Sequence, residues 1–413
     1  MKKIVYLTGT RFPTNKASGL QICKTCEGFA ANHTDVMLFY PRRKLSKTVP
    51  PQKDLLESYG IEKAFHIRPL FNADVFILEN ILPGKLFSFL YTLHAFLWGM
   101  FAAFKAQREK AALYYTRDIA IAVWLGLFNL PLAFEAHAAP GRLEKKLLPL
   151  LAKKPGFRAL VIMAALLKPV YQKLGIPADK TILSHHGFSP DHFSAVPDRE
   201  TCRKRLELPM DKKIIGYIGK FKSVGKDKGV AGLVQMTADF QSPGGSPPLL
   251  LCVGGPLSAV PDYLRRAEEL KIPETQLKFV GHVPHVNIPL WMGACDILLL
   301  PLTPSFMENI GAMPLKLFEY MAATVPVVAA DLPPIREYLV HRQNALLVDP
   351  KDPSAMAAAV SEILTDPEFG RRLAVQARND VEKFSWEYRA CTLIKALNLV
   401  DRHLDNECRM SNH

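Results

Sequence analysis

Short apolar runs alternate with longer amphipathic stretches from one end of the chain to the other. Strands buried on both faces read as continuous apolar runs, so this alternation indicates an α/β protein with parallel sheets. In the first half the pattern predicts strands at Ile4–Thr8, Val36–Tyr40, Leu113–Thr116, Leu132–Phe134, Ala159–Met163 and Thr181–Ser184. In the second half it predicts Ile214–Gly219, Leu249–Val253, Leu277–Val280, Ile297–Leu300, Val325–Ala329 and Ala345–Val348. Helical stretches fill the gaps, and no short-period repeat is present. The chain therefore reads as two similar α/β halves. Turn formers crowd Phe188-Ser-Pro-Asp-His-Phe-Ser-Ala-Val-Pro197 and mark the join. The expected domains are 1–195 and 196–384, followed by a helical segment over 385–413.

One segment breaks the amphipathic pattern. Leu86–Ala103 contains no Asp, Glu, Lys or Arg over eighteen residues, at the edge of the length that crosses a bilayer. A buried helix, an in-plane membrane helix and a true span all remain open. Lys85, Lys105, Arg108 and Lys110 flank it and suit contact with anionic lipid.

Length and charge narrow the picture. A chain of 413 residues needs two or three cores. Residues 1–195 hold 26 basic and 13 acidic side chains, while the remainder holds 26 of each. The whole formal charge of +13 thus lies on the N-terminal half, which suggests an anionic partner there: a membrane surface, a lipid diphosphate or an acidic glycan. Seven scattered cysteines argue against a disulfide framework, and Cys23-Lys-Thr-Cys26 reads as two small helix residues rather than a metal site. The opening Met1-Lys-Lys-Ile-Val-Tyr-Leu-Thr-Gly9 reads as a strand entering a glycine turn. Its apolar part is too short for a secretory signal, so a cytoplasmic protein is expected, peripheral at the inner membrane face if the anionic partner is lipid.

Parallel α/β sheets bind ligands at the carboxyl ends of their strands. The segment Pro314-Leu-Lys-Leu-Phe-Glu319-Tyr-Met-Ala-Ala-Thr-Val-Pro326-Val-Val-Ala-Ala-Asp331 reads as helix, turn and buried strand. Glu319 sits among apolar neighbours, where a carboxylate needs a hydrogen-bonding partner such as the vicinal diol of a ribose. After the strand ending at Gly219 comes Lys220-Phe-Lys222-Ser-Val-Gly225-Lys226-Asp-Lys228-Gly229, a lysine-rich loop leading into a helix, suited to a diphosphate. His137 follows an apolar strand in the first half. Arg117 is a further strand-end residue, equally readable as half of a surface ion pair.

These motifs resemble the retaining GT-B glycosyltransferases of family 4. The resemblance is strong over about Phe279–Pro350, moderate at 1–40 and 213–230, and weak at 45–110. It implies two facing Rossmann-like domains with a donor cleft between them, and a last helix crossing back to the N-terminal domain. It implies that Glu319 holds the donor ribose and that Lys220 and Lys228 stabilise the leaving diphosphate. Two departures stand out. Lys220 replaces the family's arginine, and the loop is longer than usual, so Lys222 or Lys226 are alternatives to Lys228. Gly311 stands where many relatives have the first Glu of a Glu-x7-Glu pair, and Glu308 is out of register. Backbone at Gly219, Gly311, Met313, Pro314 and Leu315 is implied to contact the donor, and Val283 to meet its base. His137 is implied to face the transferred sugar. Gly19 matches the glycine of the first donor-side loop, but reads equally as a plain helix start. Ser184-His-His-Gly187 resembles a structural turn of the family.

The reaction so implied is sugar transfer from a nucleotide-diphosphate sugar to an acceptor hydroxyl, with retention of anomeric configuration. The acceptor is expected to be a glycan or a lipid-linked molecule. No metal, separate cofactor or nucleic acid is expected. The chain has no Asp-x-Asp, no Gly-x-Gly-x-x-Gly after the first strand, no Gly-x-Ser-x-Gly and no Walker A sequence. The competing expectations are a sugar-nucleotide or glycolipid binding protein without turnover, and a phosphorylase-like enzyme using the same site in reverse.

Overall fold

The computed structural model describes all residues except 11, 13, 15, 43–55, 58, 64, 80, 224–225, 240–246, 304–313 and 400–413. The chain divides into two compact units. The first comprises Met1–His186 together with the segment that starts at Trp386, and the second is Gly187–Ser385.

The first unit is built on strands β1 (Lys3–Leu7), β2 (Asp35–Pro41), β3 (His66–Leu70), β4 (Leu113–Thr116), β5 (Leu132–Ala136), β6 (Phe157–Ile162) and β7 (Thr181–Leu183). They form one parallel sheet in the order β3-β2-β1-β4-β5-β6-β7. In register, Tyr6 lies opposite Leu38 on one side and Tyr115 on the other. β3 escapes the sequence pattern for a physical reason. It is an edge strand, its residues His66, Arg68 and Pro69 are exposed, and only an edge tolerates the proline.

Helix α1 (Ala17–Ala31) packs on this sheet with both Cys23 and Cys26 fully buried as free thiols. The Trp386–Ala396 helix lies against α1, where a side chain at Gly28 would meet the Trp386 carbonyl at 2.6 Å. Arg389 on that helix is buried and ties it to the sheet. Its Nη2 donates to Glu135 at 2.8 Å, Nε to the His185 carbonyl at 2.7 Å and Nη1 to Thr25 at 3.2 Å.

Helix α2 (Gly84–Ala106) contains the uncharged segment. Only Trp98, Gly99, Ala102, Ala103 and Ala106 are buried, and Gly99 lets the helix approach the Ala120 backbone. Leu86, Phe89, Tyr91, Leu93, Leu97, Met100 and Phe104 are exposed. The buried-helix reading therefore holds only for the last turns. Among the described residues α2, with its short continuation to Glu109, is the one helix long and apolar enough to cross a membrane.

The second unit is built on β8 (Ile214–Lys220), a small antiparallel hairpin of β9 (Lys222–Ser223) and β10 (Lys226–Asp227), then β11 (Leu249–Gly255), β12 (Leu277–Val280), β13 (Ile297–Leu300), β14 (Val327–Ala330) and β15 (Leu346–Val348). Its parallel sheet runs β12-β11-β8-β13-β14-β15, with an apolar core on each face. The hairpin is too short to leave a strand pattern in the sequence. Helix α3 (Lys316–Ala322) sends Leu317, Phe318, Tyr320 and Met321 into one of these cores. The Tyr320 hydroxyl accepts from Ile218 N at 2.8 Å and so locks α3 to β8.

Between α3 and β14 the chain turns at Thr324, which adopts φ +54°. A β-branched residue is strained in this left-handed region, at a cost of about 1–2 kcal/mol. Thr324 is exposed and has no core contact to lose. Thr324→Gly is expected to stabilise the protein by about 1 kcal/mol, seen as a melting temperature higher by roughly 2–4 °C. A lower melting temperature would contradict the strain.

Candidate functional site

Both sheets reverse their strand order next to their first strand, β1 beside β4 and β8 beside β13. These are the positions where open α/β sheets leave a crevice at the strand ends. In the second unit the crevice is framed by the end of β8, the hairpin loop and α3. Gly219 takes φ +151° and Gly229 takes φ +98°. At Gly229 a side chain would lie 1.8 Å from the Pro301 carbonyl oxygen, so only glycine lets the hairpin loop reach the end of β13.

The loop is held by its own hydrogen bonds. Tyr217 donates to the Lys220 carbonyl at 2.6 Å, Lys228 N donates to the Phe221 carbonyl at 2.9 Å, and Asp227 accepts from Gly229 N at 2.7 Å. Lys220 is exposed and Lys228 is partly buried. Burial, and then the neighbouring charge of Lys220, lower the Lys228 pKa to about 8. Lys222, one alternative second cation, is instead paired with Asp262 at 3.0 Å. Lys226, the other, is exposed on β10.

Glu319 projects from α3 and is largely screened from solvent. Its Oε1 lies 2.5 Å from Nε2 of His285, which stands in the loop after β12. His285 was not singled out by sequence reasoning, and a lone histidine in a loop carries no periodic signal. Val283 is half-buried in the same loop and packs partly on the core. Pro314 and Leu315 are half-buried just ahead of α3. Gly311, Met313 and Glu308 lie outside the described residues. Lys316, also unassigned from the sequence, reaches the backbone of Gly219.

In the first unit, His137 follows β5, with Nε2 2.6 Å from Oε1 of Glu135 but outside hydrogen-bond alignment. Burial, and secondarily the Arg117 charge, lower its pKa to about 4, so it is neutral at neutral pH. Glu135 also accepts from Gln21 at 2.6 Å and from the Tyr115 hydroxyl. Burial alone would raise the Glu135 carboxyl, but the Arg389 charge above all outweighs it, with further help from the contacts to His137 and Tyr115, and holds it well below the usual carboxylate range. Arg117 donates to Gln21 at 3.0 Å rather than forming a surface ion pair. Gly19 is inside the first turn of α1, where a side chain would strike Thr14 and Tyr59 within 2.7 Å.

Asp118, which the sequence reading left out, anchors the first sheet's crevice by accepting from Gly9 N at 2.8 Å and from the Thr8 hydroxyl at 3.1 Å. Beside it a cavity is lined by Gly9, Asp118, Tyr91, His94, Phe96 and Trp98, among others, so that one wall is α2. Among the described residues, no group of three or more His, Cys, Asp or Glu is arranged to hold a metal ion.

Comparison with known proteins assigns this architecture to a class. Residues 198–380 match the family of glycosyl transferases group 1. The chain is 29% identical over 247 residues to a D-inositol 3-phosphate glycosyltransferase of Corynebacterium glutamicum, covering 55% of this chain and 56% of that one. It is 30% identical over 217 residues to the enzyme of the same name from Corynebacterium jeikeium, covering 51% and 49%. The chain spans about half the length of the curated relatives it matches. Among solved structures it is similar to sucrose-phosphate synthase from Thermosynechococcus elongatus, with TM-score 0.73, 21% identity and coverage of 97% and 99%. It is also similar to Anabaena HepE in complex with UDP and glucose, with TM-score 0.70, 17% identity and coverage of 97% and 100%. The fold is thus GT-B, an α/β architecture of two parallel-sheet units.

The electrostatics of His137 give a pH prediction. An unfolded histidine titrates near pH 6.5, so the folded state resists a proton that the unfolded state accepts. Stability from this group is complete above about pH 6.5 and falls as pH drops toward 4. In urea unfolding across that window, His137→Gln is expected to flatten the decline by at most about 3 kcal/mol. An unchanged slope would mean that His137 titrates normally.

Proposed function

We propose that this chain is a glycosyltransferase moving a sugar from a nucleoside-diphosphate sugar to an acceptor hydroxyl. The observation that carries the reading is the crevice of the second unit. Glu319 lies there, with Lys220 and Lys228 on the glycine-bounded loop at the end of β8, within the segment that matches the glycosyl transferases group 1 family. Similar folds have been solved with UDP and glucose and with UDP-glucose, which favours a nucleotide sugar as co-substrate.

In this reading Lys220 and Lys228 stabilise the charge that builds on the departing diphosphate, the main electrostatic task of such a transfer. Phosphate oxygens beside Lys228 restore the charged state that its surroundings weaken. Glu319 orients the ribose, and the ribose hydroxyls replace His285 as its partner. His137 is a neutral imidazole at neutral pH, able to donate or accept a hydrogen bond but not to act as a cation. Retention at the anomeric carbon follows from the family resemblance, with the leaving phosphate taking the acceptor proton and no metal required.

For the acceptor, we read the first unit as the binding side. The exposed apolar residues of α2, the cavity beside Asp118 and the excess of basic side chains suit an amphiphilic, lipid-linked acceptor at an anionic membrane surface. α2 would then lie in the membrane plane, because its last turns are packed on the Ala120 backbone and cannot enter the bilayer. The product would be a cell-surface glycan or lipid-linked oligosaccharide made at the cytoplasmic face.

Two experiments test these halves separately. In a thermal-shift panel of UDP, GDP, ADP and their sugar conjugates, one nucleotide class is expected to raise the melting temperature, and Glu319→Ala to abolish the rise. No shift with any nucleotide would remove the donor reading; binding with no turnover would favour a sugar-nucleotide binding protein. In vesicle flotation, the protein is expected to rise with anionic vesicles, and Phe89→Asp/Leu93→Asp/Leu97→Asp in α2 to remain at the bottom. Equal recovery of both, or no binding to any vesicle, would remove the membrane part.

A further inference from the structure

Lys316 lies three residues before Glu319, one turn away on the same face of α3. Part of its stem is exposed, but Nζ is screened from solvent and, among the described residues, makes no hydrogen bond. The ammonium lies 3.8 Å from the centroid of the Tyr217 ring. It also abuts the end of β8, since a methyl group at Gly219 would come within 2.4 Å of Nζ. Gly219 is thus bare where Lys316 approaches, and the lysine is directed at the backbone that opens the basic loop.

A cation screened from water and unpaired is costly unless a ligand completes it. The groups facing Nζ are Tyr217 on β8, Cys252 on β11, Lys228 on the loop and Glu319 on α3, with Lys220 beyond Lys228. Burial and then the Lys228 charge lower the Lys316 pKa well below its ordinary value, while Glu319 acts in the opposite sense. Glu319 is itself engaged by His285. Among the described residues, the charged groups acting on Nζ are thus another lysine and a carboxylate that His285 already engages. An anion with oxygen acceptors is the ligand that would complete the Lys316 ammonium.

We propose that Lys316 is a third diphosphate-binding residue, the innermost cation of the donor site, reached over the bare backbone of Gly219. The proposal rests on the donor reading above and adds to it the residue that distinguishes a diphosphate from a monophosphate. Nζ donates hydrogen bonds to phosphate oxygen and no covalent step is involved. Since burial weakens the ammonium in the unliganded site, a diphosphate that favours the charged form is expected to draw a proton from solvent as it binds.

Calorimetric titration with UDP, GDP, ADP and the matching monophosphates tests this, run in two buffers of different ionisation enthalpy so that proton uptake is read directly. Wild type is expected to prefer the diphosphate and to take up protons on binding it. Lys316→Met is expected to weaken diphosphate binding roughly ten- to a hundredfold, to affect the monophosphate far less, and to take up fewer protons. An unchanged diphosphate-to-monophosphate ratio with unchanged proton uptake would overturn the role of Lys316 while leaving the donor site standing. No binding of any nucleotide by wild type would overturn both. Lys228→Met provides a second route should Lys316→Met not fold. There Lys316 keeps its place while one cause of its weakening is gone, so a preference for diphosphate over monophosphate is expected to persist, and its complete loss would also overturn the proposal.

Discussion

The contact on which the first unit depends is the buried pair Glu135–Arg389. The two residues lie 254 positions apart in sequence and meet at 2.8 Å with almost no solvent access. A buried carboxylate is tolerable only when its charge is matched and its lone pairs are used. Glu135 meets both conditions through Arg389, Gln21 and Tyr115, and Arg389 spends its remaining donors on Thr25 and the His185 carbonyl. The pair therefore fixes the Trp386–Ala396 helix, α1 and the end of β5 as one body. His137 stands against Glu135 in that arrangement, while its neutral state comes first from burial and then from the Arg117 charge, with Glu135 acting in the opposite sense. Removing one member of such a pair typically costs about 3–5 kcal/mol, more than any surface contact in the unit supplies.

The second unit follows another rule. Its crevice is made by glycines that permit close approach and by Lys316, whose Nζ makes no hydrogen bond among the described residues. Gly219 admits Lys316, Gly229 admits the Pro301 carbonyl, and Tyr320 locks α3 so that Lys316 and Glu319 face the same opening. Like charges gathered from separate elements oppose folding slightly and favour an anionic ligand strongly. These residues gather at one place in the sheet, its topological switch point.

Much of this was legible in the sequence because buried parallel strands leave apolar runs. β4, β12 and β13 fall at the expected residues, and Glu319 stood out as a carboxylate among apolar neighbours. The edge strand β3 was not legible, since exposure and Pro69 erase the pattern. The half-packed state of α2 was also hidden, because an uncharged helix reads the same whether protein or another apolar phase covers it. The ion pairs were the least legible of all. Nothing local marks Arg389 as the partner of Glu135, or His285 as the partner of Glu319, since both contacts are made by tertiary proximity alone. Lys316 was invisible for the opposite reason: a lysine near a helix start is ordinary, and only its approach to Gly219 makes it distinctive.

The most direct measurement of the central claim is phosphorus NMR of the protein incubated with nucleotide sugars carrying UDP, GDP or ADP. The account predicts slow release of the nucleoside diphosphate from one donor class, with no added metal, and its loss in Glu319→Ala. Intact donors throughout, with no line broadening to indicate binding, would contradict it.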